Sequence, residues 1–262
     1  GTSSYAAVAS FWVANGQFEA GRKLLAGLPD APGSAGPSLA MGLLLQGEGD
    51  MAGAEAALRT ALQREPGSWD AAEAFFRVME AQNRLGGAVL LLRKGLAARG
   101  GNSVPHLLAL GYIALVQDQL DAASDYLGRA EEEAPDQTEV QFYLGSVHYR
   151  RGRFLEAAGA FSRVVKAEPQ NVDARRNGIL ALGRSGRVAQ ALRLFREADP
   201  QDRDRPELLN AAAFACLING LQEEGEPLIQ RSFAVDPERS ETKGLVSALH
   251  GRGRLPPPEP FP

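Results

Sequence analysis

A unit of 34 residues recurs along most of this 262-residue chain, and that recurrence constrains the fold more than any other feature. Its clearest copy runs from Thr138 to Asn171. Val140, Tyr143, Leu144, Val147 and His148 fall at three- and four-residue spacing, which predicts a helix with one mostly apolar face. Gly152, between Arg151 and Arg153, suits a turn that needs a left-handed residue. A second helix starts near Phe154 and buries Ala157, Ala158, Phe161, Val164 and Val165. Pro169 stops it, because proline cannot continue a helix and drives Glu168 toward extended geometry. Gly145 and Ala157 are small where the two helices cross, so the backbones approach closely and Phe161 fills the space beside them.

Leu144-Gly145 in the first helix, Ala157 early in the second, Phe161 four residues later and Pro169 at the end together resemble the tetratricopeptide repeat. One such match fits any alanine-rich helical protein; several at one period do not. The resemblance covers roughly residues 5 to 239, is specific in four units and is looser in the first, third and last. It implies an all-α, right-handed α-solenoid of about seven antiparallel helix hairpins with a C-terminal capping helix.

The expected units are 5–34, 35–68, 69–103, 104–137, 138–171, 172–205 and 206–239, followed by a capping helix at 242–250. In the first, Phe11, Trp12, Phe18, Leu24, Leu25 and Leu28 are its expected core, and Pro29, Pro32, Gly33, Gly36 and Pro37 make a long linker. The second carries Gly42, Gly49, Ala54, Leu58, Ala61 and Pro66 at the repeat's spacings. The third diverges, with Gly100 and Gly101 in place of the terminal proline; the fourth restores Leu110-Gly111, Ala123, Leu127, Ala130 and Pro135. In the sixth, Asp199-Pro200 arrives early and a charged connection, Gln201 to Pro206, follows. A shortened helix, a longer loop and a slight break in the array are expected there. Residues 251–262 form a proline-rich tail that suits an extended, mobile terminus, or a ligand for a proline-reading domain.

Gly1-Thr2-Ser3-Ser4, without an initiator methionine, reads as a cloning remnant, so residues 1–4 are set aside, and a native signal, lipid anchor or further domain upstream is left open. No apolar run approaches the roughly 20 residues of a membrane span. The net charge is −4 and mixed, with no basic run or basic-aromatic cluster, which argues against nucleic acid as partner. Arginine outnumbers lysine and alanine and glycine abound, as in GC-rich bacterial coding. The single cysteine, Cys216, sits in an apolar run and reads as a buried structural thiol. One cysteine is compatible with cytoplasm or periplasm alike.

No catalytic or metal constellation stands out, so a non-enzymatic protein without cofactor or metal is expected. His106, His148 and His250 are far apart, and His148 takes a place where the repeat usually has a buried aromatic. Glu131-Glu132-Glu133 reads as a solvated face, the serines lack a nucleophile elbow, and Gly47 to Gly53 is a hairpin turn with the wrong spacing for a dinucleotide loop.

The resemblance also implies where a partner would lie. In tetratricopeptide arrays the first helix of each unit lines a concave groove. Carried over one position at a time, the groove-facing set is Glu73 and Arg77 in the third unit and Leu108, Tyr112 and Leu115 in the fourth. The fifth gives Phe142, Ser146, Tyr149 and Arg150; the sixth Arg176, Asn177, Leu180 and Arg184; the last Asn210, Phe214 and Leu217. Tyrosine and arginine carry much interface energy, and Asn177 and Asn210 can bond both backbone groups of an extended peptide. Phe142, Phe214 and the leucines serve equally well as packing against the next unit. Chaperone-binding members grip a terminal carboxylate with lysine and asparagine; here Arg176 holds one such position but Leu180 replaces the asparagine, so that clamp is incomplete. The expectation is an adaptor or scaffold that binds a partner's peptide segment or helix through apolar and acidic groups. The alternative is an accessory or assembly factor of a secretion, pilus or cell-envelope complex, docked through its convex face or ends.

Overall fold

The computed structural model describes residues 2–26 and 34–251. Leu28, the linker residues Pro29, Pro32 and Gly33, and the proline-rich tail from Arg252 onward lie outside the described residues. Among the described residues there are fifteen α-helices and no strand. In chain order they are α1 (Thr2–Ala14), α2 (Phe18–Ala26), α3 (Gly36–Glu48), α4 (Met51–Arg64), α5 (Trp69–Ala81), α6 (Gly86–Ala98), α7 (Val104–Val116) and α8 (Leu120–Glu133). Then follow α9 (Thr138–Arg150), α10 (Phe154–Ala167), α11 (Val172–Arg184), α12 (Val188–Arg196), α13 (Pro206–Ile218), α14 (Gln222–Val235) and α15 (Ser240–Leu249). Helix α1 already begins at Thr2: no glycine or proline separates Thr2 from Tyr5, so three of the residues set aside continue the helix.

The helices form two compact units, one up to Gln117 and one from Asp118. In the N-terminal unit α3 packs on α1 and α4, α5 on α4 and α6, and α6 on α7. Phe11 and Leu24, expected in the core of the first hairpin, are 61% and 55% exposed, while Ala9 and Leu25 are buried with Trp12 and Phe18 against them. A terminal hairpin has a neighbour on one side only, so half of its apolar residues have nothing to pack on.

The C-terminal unit shows why the repeat needs its small residues. A Cβ on Gly145 would stand 2.8 Å from Cε1 of Phe161, which is fully buried. Leucine or alanine at 145 would therefore push α9 off α10. Gly152 has φ +74°, the left-handed turn that lets α10 fold back on α9. Asn171 caps α11 by accepting from the backbone N–H of Ala174 at 2.9 Å. Successive first helices α9, α11 and α13 lie side by side, with α11 in the middle.

Helix α12 has nine residues, as the early Asp199-Pro200 predicts. The break expected beside it is corrected: residues 199–205 lie inside the C-terminal unit and are tied down on both sides. Gln170 Nε2 donates to Asp199 at 3.0 Å, Arg205 pairs with Asp202 at 2.8 Å, and Arg231 pairs with Asp204. Asp204 thus finds its partner on α14, Asp199 in the turn between α10 and α11, and Arg205 inside the connection itself.

Candidate partner-binding surface

The first-helix positions divide into three kinds. Some are sealed inside. Ser146, Asn177 and Asn210 have no exposed surface; Ser146 Oγ donates to the carbonyl of Phe142 at 3.2 Å, and Asn210 is bonded to Thr242 of α15. Phe214 is 3% exposed and belongs to the C-terminal core with Leu180. The expectation that Asn177 and Asn210 lie open to a peptide backbone is thus corrected for this conformation. Their positions in the repeat say which way they point, and neither shows any exposed surface.

Others are partly covered and already engaged. Arg176, 10% exposed in its side chain, lies 3.5 Å from Glu241 of α15 and donates to Asn177 Oδ1 at 3.2 Å. Arg150 pairs with Asp118 at 3.6 Å. Tyr149 is 6% exposed and meets Phe154 edge-to-face at 5.3 Å; burial pushes its phenol above the usual tyrosine range, with Arg184 and Arg176 nearby pulling the other way. In the N-terminal unit Tyr112 donates to Glu80 at 3.0 Å and packs edge-to-face on Phe76, and Arg77 is paired with Glu73 along its own helix at 2.6 Å.

The third kind faces outward. Arg184 is exposed and lies over the Phe154 ring, 5.0 Å from its centroid. Phe142 and Tyr143 are half-buried, edge-to-face at 5.8 Å, and Phe142 rests on Phe161 at 5.6 Å. These two rings form one side of a hollow of about 200 Å³ whose other lining includes Thr138, Glu139, Glu168 and Asp173. Thr138 and Asn171 donate to Glu168, which holds its carboxyl below the usual range. Tyr143 and the acidic rim were not in the expected groove set; Glu139 comes from the start of α9, Glu168 from the end of α10 and Asp173 from the start of α11. The hollow is therefore acidic and aromatic, while the cations lie at the opposite ends of α9 and α11, on Arg150 and Arg184.

Burial also shifts Cys216, His106 and His148. Cys216 has no exposed surface, and burial, helped by Glu224, pushes its thiol up to about 11. His106 is buried with Nδ1 2.8 Å from Ser103 Oγ and its ring edge-to-face with Trp69; burial, then Arg99, lowers its pKa. His148 is half-buried and likewise lowered, first by burial. Among the described residues no group of three or more His, Cys, Asp or Glu is placed to hold a metal ion, and no helix is long and apolar enough to cross a membrane.

Residues 108–172 and 147–206 match the model of the tetratricopeptide repeat family. No curated protein matches the chain. Among solved structures, a chain of the APC/C hetero-tetramer Cut9-Hcn1 matches 92% of this chain with a TM-score of 0.64 at 14% identity, and this chain spans 48% of that one. Pseudomonas aeruginosa pilF matches 82% of the chain, and 97% of its own, with a TM-score of 0.63 at 17% identity. YrrB, described as a TPR protein with an unusual peptide-binding site, matches 76% of the chain and 98% of its own, with a TM-score of 0.61 at 17% identity. At these identities the likeness is one of fold: an α-solenoid of helix hairpins.

Proposed function

We propose that this chain, a tetratricopeptide-repeat protein and hence built on a protein-interaction scaffold that is generally non-catalytic, holds a peptide segment or helix of a partner protein along α9, α11 and α13. The observation that carries the reading is the aromatic hollow at Phe142 and Tyr143 on one side of the first helices, with the exposed Arg184 stacked on Phe154 at their other end. Half-exposed rings pre-ordered by edge-to-face contact lose little freedom when a partner covers them, and so suit anchors. A cation held against a ring is partly desolvated, which strengthens its attraction for a carboxylate. The ligand best suited to this surface is amphiphilic: an apolar side chain for the hollow, and an acidic group toward Arg184 and Arg150. A peptide-binding site in YrrB, of like fold, is consistent with that use.

The test is calorimetry of a captured partner against Phe142→Ala and Arg184→Glu proteins that keep the wild-type helical signal. Loss of the aromatic anchor should weaken binding by on the order of 2 kcal/mol at any salt concentration. The arginine change should act mainly on association rate and its salt dependence. Wild-type affinity in both would place the interface elsewhere. A second reading, docking through the C-terminal end as part of an assembly, is favoured by one feature: Phe233 and Val235 are 45% and 56% exposed, and Phe233 lines a separate hollow of about 300 Å³ with Ile229, Val246 and Leu249.

A further inference from the structure

The hollow beside Phe142 and Tyr143 carries charge of one sign only. Glu139, Glu168 and Asp173 line it, and no lysine, arginine or histidine is among its described lining residues. Elsewhere in this unit Asp121, Asp204, Glu207 and Glu241 each pair with an arginine. The three carboxylates of the hollow pair with no cation among the described residues. Glu168, at the C-terminal end of α10, accepts from the Thr138 hydroxyl and, at 2.9 Å, from Asn171 Nδ2. Both donors are neutral, so they fix the carboxylate without cancelling its charge. Glu139 and Asp173 stand in the first turns of α9 and α11. The positive end of each helix dipole, worth about half a charge, offsets them only in part.

We infer that this hollow seats a basic side chain, lysine or arginine, of the partner segment. The inference deepens the groove reading above and rests on it: the apolar part that enters the hollow is the methylene stem of that side chain. A wholly apolar group would cover the rings but strip water from carboxylates that gain no partner in return. A cation removes that cost. Among the described residues these carboxylates form no group of three placed to hold a metal ion, so the charge that suits them is a larger, organic cation. The rings suit it too, since an ammonium or guanidinium is drawn to an aromatic face. Phe142 and Tyr143 stand almost at right angles, at 83°, and wall a corner for it. Arg150 lies about 17 Å from Glu139 along α9, at 1.5 Å per residue. An extended partner segment would then carry its basic and acidic side chains roughly five residues apart. Opposite charges at the two ends of α9 thereby fix which way the segment runs.

The test uses the isotope-labelled full chain, followed by amide NMR, and four capped alanine pentapeptides with lysine, arginine, norleucine or glutamate at the centre. The lysine and arginine peptides should shift the amides of Glu139, Phe142, Tyr143 and Asp173. They should bind about fivefold or more tighter than the norleucine peptide at low salt, and lose most of that margin in about 0.5 M salt. The glutamate peptide should leave these amides unmoved. Glu139→Gln combined with Asp173→Asn, both at exposed positions, should bring the basic peptides down to the norleucine level. If that double variant does not keep its helical signal, Glu139→Gln alone serves, with a reduced margin expected. Norleucine binding as tightly as lysine and arginine, or glutamate binding more tightly, overturns the inference. So does a margin that survives in the variant, or the absence of any shift at these amides with millimolar peptide. If Phe142→Ala and Arg184→Glu leave a captured partner's affinity intact, the groove reading fails; the peptide series reports only which charge the hollow takes, so the two failures are told apart.

Discussion

Helices α13 and α15 both pack on α14 and are buried to very different degrees. Nine consecutive residues of α13, Leu208 to Cys216, are buried, and all but Asn210 are apolar or a thiol. α15 buries Thr242 and Leu245 only, and its deepest contact is a hydroxyl between an asparagine and a serine. The difference teaches that permanence follows burial. α13 is fixed because removing it would expose a full apolar helix. α15 is held by Leu245 in the core, by the hydrogen bonds of Thr242 and by the ion pairs of Glu241 with Arg176 and Arg239, a smaller set of contacts. The account therefore has a deeply buried stack of first helices that ends under a less buried last helix.

Predictions that break or sharpen this contrast run from the rigid part outward. Phe161→Ala should cost about 3–5 kcal/mol, since the ring is fully buried and wedged against Gly145. Gly145→Leu should cost roughly 1–3 kcal/mol by overpacking the same crossing. Denaturant melts check both, and midpoints equal to wild type would contradict the helix register. Leu245→Ala should cost less than about 2 kcal/mol and leave the main transition nearly unmoved, because the loss cannot exceed the free energy of docking α15. An effect as large as that of Phe161→Ala would show α15 to be core. Cys216, raised to about 11 and sealed, should resist a thiol reagent until the protein unfolds; rapid labelling of native protein would mean that α13 opens.

The smallest expected effect is one of pH. His106 is held neutral in the fold, with its pKa below the ordinary 6.5. The unfolded chain then binds more protons between the lowered folded value and 6.5, so stability is full above that window and falls as the pH drops through it. Melting temperature should decline from pH 7 toward pH 5, and less steeply in a His106→Gln variant. Identical slopes would remove His106 from the balance.

The repeat was legible because its determinants are local. Gly145 against Phe161, Gly152 in the left-handed turn and Pro169 after α10 each act within one hairpin, and the sequence shows them at fixed spacing. The short α12 followed from the early Asp199-Pro200 for the same reason. Which groove positions stay open was not legible. Asn210 has the right place in its unit, but Thr242, 32 residues on, bonds to it. Phe214 has an aromatic's promise of a contact surface and spends it in the core. Tyr143 and the acidic rim of its hollow come together where the start of α9 meets the end of α10, residues about 25 apart in sequence, with only Asp173 added by α11. The charged stretch from Asp199 to Arg205 looked like a break because its partners, Gln170 and Arg231, are far away in the chain.

Native-state hydrogen exchange across α13 and α15, followed at rising denaturant, tests the central contrast most directly. The account predicts that amides from Thr242 to Leu249 exchange through a local opening, about tenfold or more faster than those from Leu209 to Cys216 and with little dependence on denaturant. The α13 amides should exchange only with global unfolding. If both helices show the same protection and the same denaturant slope, α15 is as much a part of the core as α13 and the contrast fails.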